Sequence, residues 1–141
     1  KIIPLENIVA DLNVDMIGRR DFTYEKSKKE YIYLVGSDKL STELHDVSEA
    51  MNKKYTNLVL DYTFNDEKHP EMIYYRSDHY NFAKFNIPVI FYYSGEHVDY
   101  HQPTDTVDKI EFDKMLQRTQ LIFVTAWELA NRNEKVKLTN S

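Results

Sequence analysis

The chain has 141 residues, 42% of them hydrophobic, and a formal net charge of -5. This length fits one domain or part of a larger one, and the dispersed basic residues exclude the cationic surface of a nucleic-acid-binding protein. There is no cysteine, which excludes disulfides and thiol chemistry, and no apolar run reaches the length of a membrane-spanning helix.

Apolar runs and helical periods predict seven elements in the order strand, strand, helix, strand, short helix, strand, long helix. After a lead-in over residues 1–6, strands are predicted at residues 8–18, 31–36, 57–64 and 88–93. The first helix carries Leu40, Leu44, Val47 and Met51, and the short helix carries Phe82 and Phe85. This order predicts a layered α/β fold in which residues 1–141 form a single unit.

The long helix is predicted over residues 108–132, and residues 134–141 form a predicted polar tail. Its apolar residues make one broad stripe, which we interpret as core packing: Phe112, Met115, Leu116, Thr119, Ile122, Phe123, Ala126, Trp127 and Ala130.

The loop after the fourth strand concentrates residues that can bind a metal. His97, Asp99 and His101 alternate, so an extended loop would point all three side chains to one side. Two imidazoles and a carboxylate are a ligand set for zinc or ferrous iron. The same composition is also typical of an ordinary solvated loop, and the residues alone leave both interpretations open.

Two other stretches carry polar residues in informative places. Asp11, Asn13 and Asp15 share one face of the first predicted strand, where a carboxylate is costly unless it is paired or binds a metal. Ser77 and Asp78 precede the short helix, and helix capping alone explains them.

Three stretches together resemble the co-catalytic di-zinc aminopeptidases, relatives of glutamate carboxypeptidase II and glutaminyl cyclase. The matching segments are Asn13-Val14-Asp15-Met16-Ile17-Gly18, Ser77-Asp78-His79 followed by Phe82 and then Ile87-Pro88, and Asp99-Tyr100-His101-Gln102-Pro103-Thr104-Asp105-Thr106-Val107-Asp108-Lys109-Ile110. The resemblance covers essentially the whole chain, but only the C-terminal part of the family's catalytic domain. It implies a layered α/β/α fold with a mixed, mostly parallel sheet.

By this resemblance Asp15 would bind one zinc ion and His101 the other. Asp78 would support the metal ligands or border the substrate pocket, Tyr100 would border that pocket, and Asp105 would hold the loop. His97 and Asp99 would then be loop residues rather than ligands. Asp78 thereby gains a role at the site beyond capping.

The family's first histidine, bridging aspartate and pair of glutamates, one of them the general base, are not identifiable in this sequence. No catalytic residue is therefore assigned within the chain, and the chain alone is predicted to be inactive. The expected parent is a zinc aminopeptidase that removes N-terminal residues from peptides with two zinc ions.

The sequence leaves two alternatives to an aminopeptidase. One is a glutaminyl-cyclase-like acyltransferase, against which Tyr100 argues because the cyclases tend to carry tryptophan there. The other is a non-catalytic peptide-binding module of the same fold. The resemblance also suggests a location outside the cytoplasm or in the periplasm, and because the chain starts at Lys1 without methionine, an earlier segment is expected to have been removed.

Overall fold

The computed structural model describes residues 2–139; Lys1, Asn140 and Ser141, the outermost residues of the predicted lead-in and tail, lie outside the described residues. The strands are β1 (Asp11–Val14), β2 (Tyr31–Val35), β3 (Val59–Asp61) and β4 (Val89–Tyr93). The helices are α1 (Thr42–Met51), α2 (Tyr80–Ala83) and α3 (Phe112–Asn131). A π-helical turn, Asn52–Thr56, extends α1, and short 3-10 turns lie at Leu5–Asn7, Thr63–Asn65, Ile73–Tyr75 and Val107–Lys109.

The four strands form one sheet in the order β1-β4-β2-β3. β1 pairs with β4 and β2 pairs with β3 in parallel, whereas β2 and β4 are antiparallel. The prediction of a mixed, mostly parallel sheet is therefore confirmed. Because β1 and β4 are parallel neighbours, their carboxyl ends open onto the same edge of the sheet.

Alternate residues of the two central strands bury both faces of the sheet. Ile32, Leu34, Ile90 and Tyr92 face a core that also contains residues of α1 and α3. Tyr31, Tyr33, Phe91 and Tyr93 face a second core that contains Ile73, Tyr74 and Ala83, the last of these on α2. Helices therefore cover both faces, as the predicted layered fold requires.

The edge strands are shorter than the sequence indicates. β1 covers four of the eleven predicted residues, and Met16 just beyond its C-terminal end adopts a left-handed conformation (φ 59°) that stops the strand from continuing. β3 covers three residues, because the Asp61 carboxylate accepts hydrogen bonds from the backbone N–H and the hydroxyl of Thr63 and turns the chain. Asn86, which follows α2, is left-handed (φ 60°), a conformation that asparagine tolerates better than most residues.

The prediction that the apolar stripe of the long helix packs in the core is wrong for its largest residues. Phe112, Leu116, Phe123 and Trp127 are each more than half exposed. The buried residues of α3 are instead Arg118, Leu121, Thr125 and Leu129. Both faces of this helix carry large apolar residues, and a periodic pattern does not show which face meets the sheet.

The C-terminal segment packs against α1, although its composition predicts a polar tail. Val136 is buried in the core, the Ser41 hydroxyl donates to the Lys137 carbonyl at 2.6 Å, and the Thr139 N–H donates to the Leu40 carbonyl at 2.9 Å. Between residues 2 and 139, the chain forms no helix that has the length and hydrophobicity to cross a bilayer.

Candidate active site

Asp15 is the first residue after β1 and is exposed at the carboxyl edge of the sheet. Its N–H donates to the Tyr92 carbonyl on β4 at 3.2 Å, so the strand pairing fixes its backbone. Its carboxylate accepts a hydrogen bond from the Ser77 hydroxyl at 3.2 Å, and that hydroxyl accepts one from the Asn13 amide at 2.9 Å. Ser77 therefore orients Asp15 and makes no side-chain bond that caps α2.

The loop that follows β4 is joined to the loop that follows β1. Both the N–H and the hydroxyl of Ser94 donate to the Met16 carbonyl, at 2.9 and 2.6 Å. The segment after β4 therefore starts beside Asp15, as predicted for adjacent parallel strands.

His101 lies farther along the same loop, with its ring exposed. Its backbone is left-handed (φ 53°), a conformation that residues other than glycine seldom adopt. Its ring stacks on that of Tyr100, with centroids 3.9 Å apart and planes inclined by 21°. Such strained conformations cluster at functional sites.

A pair of cations on a buried carboxylate holds this loop in place. Arg19 donates to Asp99 at 2.6 Å and Lys109 donates to it at 2.8 Å. Hydrogen bonds from Lys109, Thr104 and Arg19 hold the pKa of Asp99 well below its usual range. Asp99 thus holds the loop in place, and its predicted exclusion from the metal ligands stays a prediction.

Asp105, to which the resemblance assigns this loop-holding role, makes a weaker contact. One carboxylate oxygen lies 3.6 Å from the Arg19 guanidinium, and the side chain is 45% exposed. Most of the anchoring therefore falls to Asp99. The sequence interpretation missed Arg19 and Lys109, because both act on Asp99 through tertiary contacts, and Arg19 lies 80 positions from it in the chain.

Asp15, His101, Tyr100 and Asp105 line one open cleft of about 450 Å³. The other lining residues are Met16, Gly18, Arg19, Ser94, His97, Thr106, Val107 and Ile110. Four of the five residues predicted at the site are thus brought together by the fold, although Asp15 and His101 lie far apart in the sequence.

Asp78 is the fifth predicted residue and does not line this cleft. It is exposed, and it acts on Asp11, whose pKa is raised by burial and further by the charge of Asp78. Its immediate neighbour Ser77 is the residue that contacts Asp15. The predicted role of Asp78 at the metal ligands or the substrate pocket stays a prediction.

His97 also lines the cleft, where its environment differs from that of His101. Its Nδ1 atom is buried and has no hydrogen-bond partner among residues 2–139. Burial, and next the positive charge of Arg19, lower the pKa of His97. Both effects favour the neutral form of the ring, one nitrogen of which is turned away from solvent.

Two buried polar side chains, Arg118 and Tyr31, form hydrogen bonds to the loops that line the cleft. The Arg118 guanidinium donates to the carbonyls of Ile17 at 2.7 Å, Arg19 at 3.0 Å and Tyr31 at 3.0 Å. The Tyr31 hydroxyl donates to the Ser94 carbonyl at 2.5 Å. Arg118 and Tyr31 thus tie the two site loops to α3 and β2, and no sequence pattern indicated either residue.

A further buried group, next to Tyr31, is the Asp21 carboxylate. It accepts a hydrogen bond from the Tyr33 hydroxyl at 2.7 Å, and its other oxygen lies 3.3 Å from the Tyr31 hydroxyl, whose proton is donated to Ser94. Gly95 (φ 91°) packs so closely on Asp21 that a Cβ atom at position 95 would lie 2.3 Å from its carboxylate oxygen. Position 95 therefore requires glycine for space as well as for conformation.

The candidate ligands are of the types that bind zinc, but there are too few of them for a complete catalytic site. Asp15 supplies a carboxylate and His101 an imidazole, both ordinary zinc ligands, on the same cleft. A catalytic zinc needs about three protein ligands, and no group of three suitable side chains occurs in the described part of the chain.

The chain is similar to known aminopeptidases in sequence and in fold. It is 30% identical over 120 residues to a probable leucine aminopeptidase of Arthroderma otae, covering 78% of this chain and 34% of that protein. A protein of the same description from Arthroderma benhamiae is 28% identical over 127 residues, covering 82% of this chain and 36% of its own length.

Two solved structures share the fold. The LapA aminopeptidase of Legionella pneumophila superposes with a TM-score of 0.67 at 20% identity, covering 89% of this chain and 32% of that one. The aminopeptidase of Aneurinibacillus sp. strain AM-1 gives a TM-score of 0.62 at 20% identity, covering 94% and 28%.

The chain thus spans about a third of the length of these relatives. The sequence model of peptidase family M28 matches residues 1–126, which include all three segments that suggested a zinc exopeptidase. The chain belongs to peptidase family M28.

Proposed function

We propose that these residues form the C-terminal part of a zinc-dependent aminopeptidase that hydrolyses the N-terminal peptide bond of its substrates through two zinc ions and an activated water. The observation that carries the proposal is that Asp15 and His101 open onto one cleft at the ends of two adjacent parallel strands. The membership in family M28 and the aminopeptidase descriptions of the relatives support it further.

The residues of this chain would hold the ions and shape the cleft. The Asp15 carboxylate, oriented by Ser77, would bind one ion, and the His101 imidazole would bind the other. When bound, such ions polarise the scissile carbonyl and lower the pKa of a coordinated water. Tyr100, stacked on His101, would border the substrate and limit the rotation of the imidazole ring.

The descriptions of the relatives point to leucine as a favoured N-terminal residue. The apolar side chains on the cleft wall, Met16, Val107 and Ile110, are compatible with an aliphatic substrate side chain. Tyr100 and the aminopeptidase relatives favour hydrolysis over the cyclase-like acyl transfer.

The test uses a longer parent protein that includes the region upstream of Lys1. We expect it to hydrolyse a chromogenic leucyl amide, to lose activity on chelation and to regain it with zinc. His101→Ala should remove nearly all turnover and lower the zinc content. His97→Ala is the matched control, because His97 shares the cleft and the loop, and its effect should not exceed the roughly 10–100-fold of residues that only support ligands.

An equal loss of turnover and zinc in both variants would contradict the assigned roles. So would activity that survives complete removal of metal.

The 141-residue chain by itself should show no peptidase activity. The reason is chemical: Asp15 and His101 are too few ligands for a catalytic zinc, and no general base is assigned in the chain. The measurement is the same leucyl amide assay with added zinc. Chelator-sensitive turnover by this chain would disprove the prediction and direct attention to His97 as a further ligand.

A further inference from the structure

The loop after β4, residues 94–111, is bonded at both ends to the segment that follows β1. At the first end, the N–H and the hydroxyl of Ser94 both donate to the Met16 carbonyl, at 2.9 and 2.6 Å. At the other end, the Glu111 N–H donates to the Gly18 carbonyl at 2.9 Å. These contacts fix both ends of the loop, which we call the histidine loop, but they do not determine where its middle lies.

The Arg19 side chain joins the middle of the histidine loop to the same segment. Its guanidinium donates to the Asp99 carboxylate at 2.6 Å, and the Asp105 carboxylate lies 3.6 Å from the same nitrogen. Asp99 precedes His101 in the sequence and Asp105 follows it, so one cation contacts the loop on both sides of this candidate ligand. Arg19 itself lies four positions after Asp15. Its side chain therefore connects the segments that carry the two candidate metal ligands.

Buried groups hold this connection at both of its ends. The backbone of Arg19 is fixed by Arg118, which is 1% exposed and donates to the carbonyls of Ile17 at 2.7 Å and Arg19 at 3.0 Å. At the other end, the Asp99 carboxylate also accepts from Lys109 at 2.8 Å, and its side chain is 8% exposed. Partly buried ion pairs are screened by salt much less than pairs on the surface. The connection is therefore a firm spacer between the two segments.

The backbone conformation of His101 needs support from its surroundings. Its left-handed conformation (φ 53°) is unfavourable for residues other than glycine and persists where the surrounding structure enforces it. We propose that Arg19 is a positioning residue that enforces this conformation and sets the distance between His101 and Asp15. This inference rests on the proposed function and deepens it, because the distance determines whether the two side chains can hold adjacent metal ions.

Hydrogen exchange in the metal-free longer parent tests whether Arg19 holds the loop. The Gln102 and Asp105 amides donate within the middle of the loop, to the Asp99 and Gln102 carbonyls. In Arg19→Met their exchange should quicken at least about tenfold, because the lost hydrogen bond joins two charged groups. The Ser94 and Glu111 amides at the ends of the loop should keep their wild-type rates, whereas a general loss of stability would quicken all four.

Arg20→Met is the matched control. Arg20 is the next residue, and its side chain is 14% exposed against 19% for Arg19. Between residues 2 and 139 its guanidinium contacts Glu30, Glu111 and two backbone carbonyls, all of them outside the middle of the histidine loop. Exchange at the middle of the loop should therefore be unchanged. Arg19→Lys keeps the charge without the planar guanidinium and should restore part of the protection.

Zinc binding by the same parent tests the consequence for the site. Arg19→Met should lower the zinc affinity, measured by competition with a chelator, by about 10–100-fold, as for other residues that orient metal ligands. It should also lower kcat with little change in KM, because Arg19 acts through His101 and not on the substrate. Arg20→Met should keep both the zinc affinity and kcat, and Arg19→Lys should recover part of each.

Unchanged exchange in the middle of the loop of Arg19→Met would overturn the proposal. So would equal losses of zinc affinity in Arg19→Met and Arg20→Met, or a raised KM at an unchanged kcat, which would make Arg19 a substrate contact. If Arg19→Met does not fold, Arg19→Lys must show the same pattern at smaller amplitude, and wild-type behaviour of that variant would overturn the proposal. A wild-type parent that binds no zinc would refute the proposed function, whereas the exchange measurement needs no metal and decides separately whether Arg19 holds the loop.

Discussion

Arg118 is the residue on which the geometry of the cleft depends most. It is 1% exposed, and its donors go to three backbone carbonyls, two of which belong to the segment just after Asp15. Its guanidinium also lies over the Tyr31 ring, 4.9 Å from the centroid. Hydrophobic periodicity does not predict that an arginine in an apolar helix is buried, because sequence patterns assign charged residues to the surface.

Replacing Arg118 with Met should therefore destabilise the fold strongly. The substitution keeps an apolar stem and leaves the carbonyls of Ile17, Arg19 and Tyr31 without their donor, at about 1–3 kcal/mol for each buried group left unpaired. We expect the free energy of unfolding, measured in urea, to fall by at least about 3 kcal/mol.

The control is Arg132→Met, because Arg132 lies at the end of the same helix and makes partly exposed ion pairs with Glu43 and Glu128. Its loss should cost less than about 1 kcal/mol. Equal effects of the two substitutions would contradict the role of Arg118.

Asp99 makes the stability of the loop depend on pH. Its pKa is lowered in the folded protein, so below a pH of about 4 the unfolded chain binds the proton more readily. The stabilisation is present above the unfolded-state pKa and is lost as the pH falls towards the folded-state value. We expect the urea midpoint to fall in this acid range, and Asp99→Asn to make that fall shallower.

Glu67→Gln provides the comparison, since Glu67 pairs with Lys39 at an exposed position. This variant should keep the acid dependence of the wild type. An Asp99→Asn profile that is parallel to the wild type throughout would show that the contacts with Arg19 and Lys109 do not contribute.

Among the secondary-structure elements, the sequence predicted best the strands that are buried on both faces of the sheet. β2 and β4 are continuous apolar runs whose residues are all buried, and their observed bounds lie within one residue of the predicted ones. β1 and β3 lie at the edges of the sheet, where pairing on one side and local turns decide the length. For α3 the length was predictable but not the buried face, because large apolar residues lie on both sides.

The N-terminus of α1 is stabilised by a single side chain, and the effect of removing that side chain on the free energy of unfolding can be measured. The fully buried Ser41 hydroxyl accepts from the Leu44 N–H at 3.1 Å and donates to the Lys137 carbonyl, so it caps the helix and anchors the C-terminal segment. Ser41→Ala should lower the free energy of unfolding by about 1–2 kcal/mol.

Ser27→Ala removes a hydroxyl whose one hydrogen-bond partner between residues 2 and 139 is the exposed Lys29 N–H, and should change stability by less than about 0.5 kcal/mol. Hydrogen exchange should also quicken at the Thr139 amide in Ser41→Ala. Unchanged exchange there would show that the segment is held without Ser41.

In the whole molecule, the candidate site is formed by two segments that are far apart in the sequence. Sequence motifs identified both segments, and the sheet brings them together. The resemblance supplied Asp15 and His101, and the parallel pairing of β1 with β4 places both on one cleft. What the sequence could not show is how the cleft is supported, because Arg19, Lys109 and Arg118 act through tertiary contacts that have no local pattern.

The most direct test of the site is an anomalous-scattering map at the zinc absorption edge from crystals of a longer parent protein. We predict two peaks in the cleft, about 3.5–4 Å apart, one about 2.0–2.2 Å from the Asp15 carboxylate and the other about 2.0–2.1 Å from a His101 ring nitrogen. Zinc peaks with neither Asp15 nor His101 as a ligand would contradict the proposed metal site.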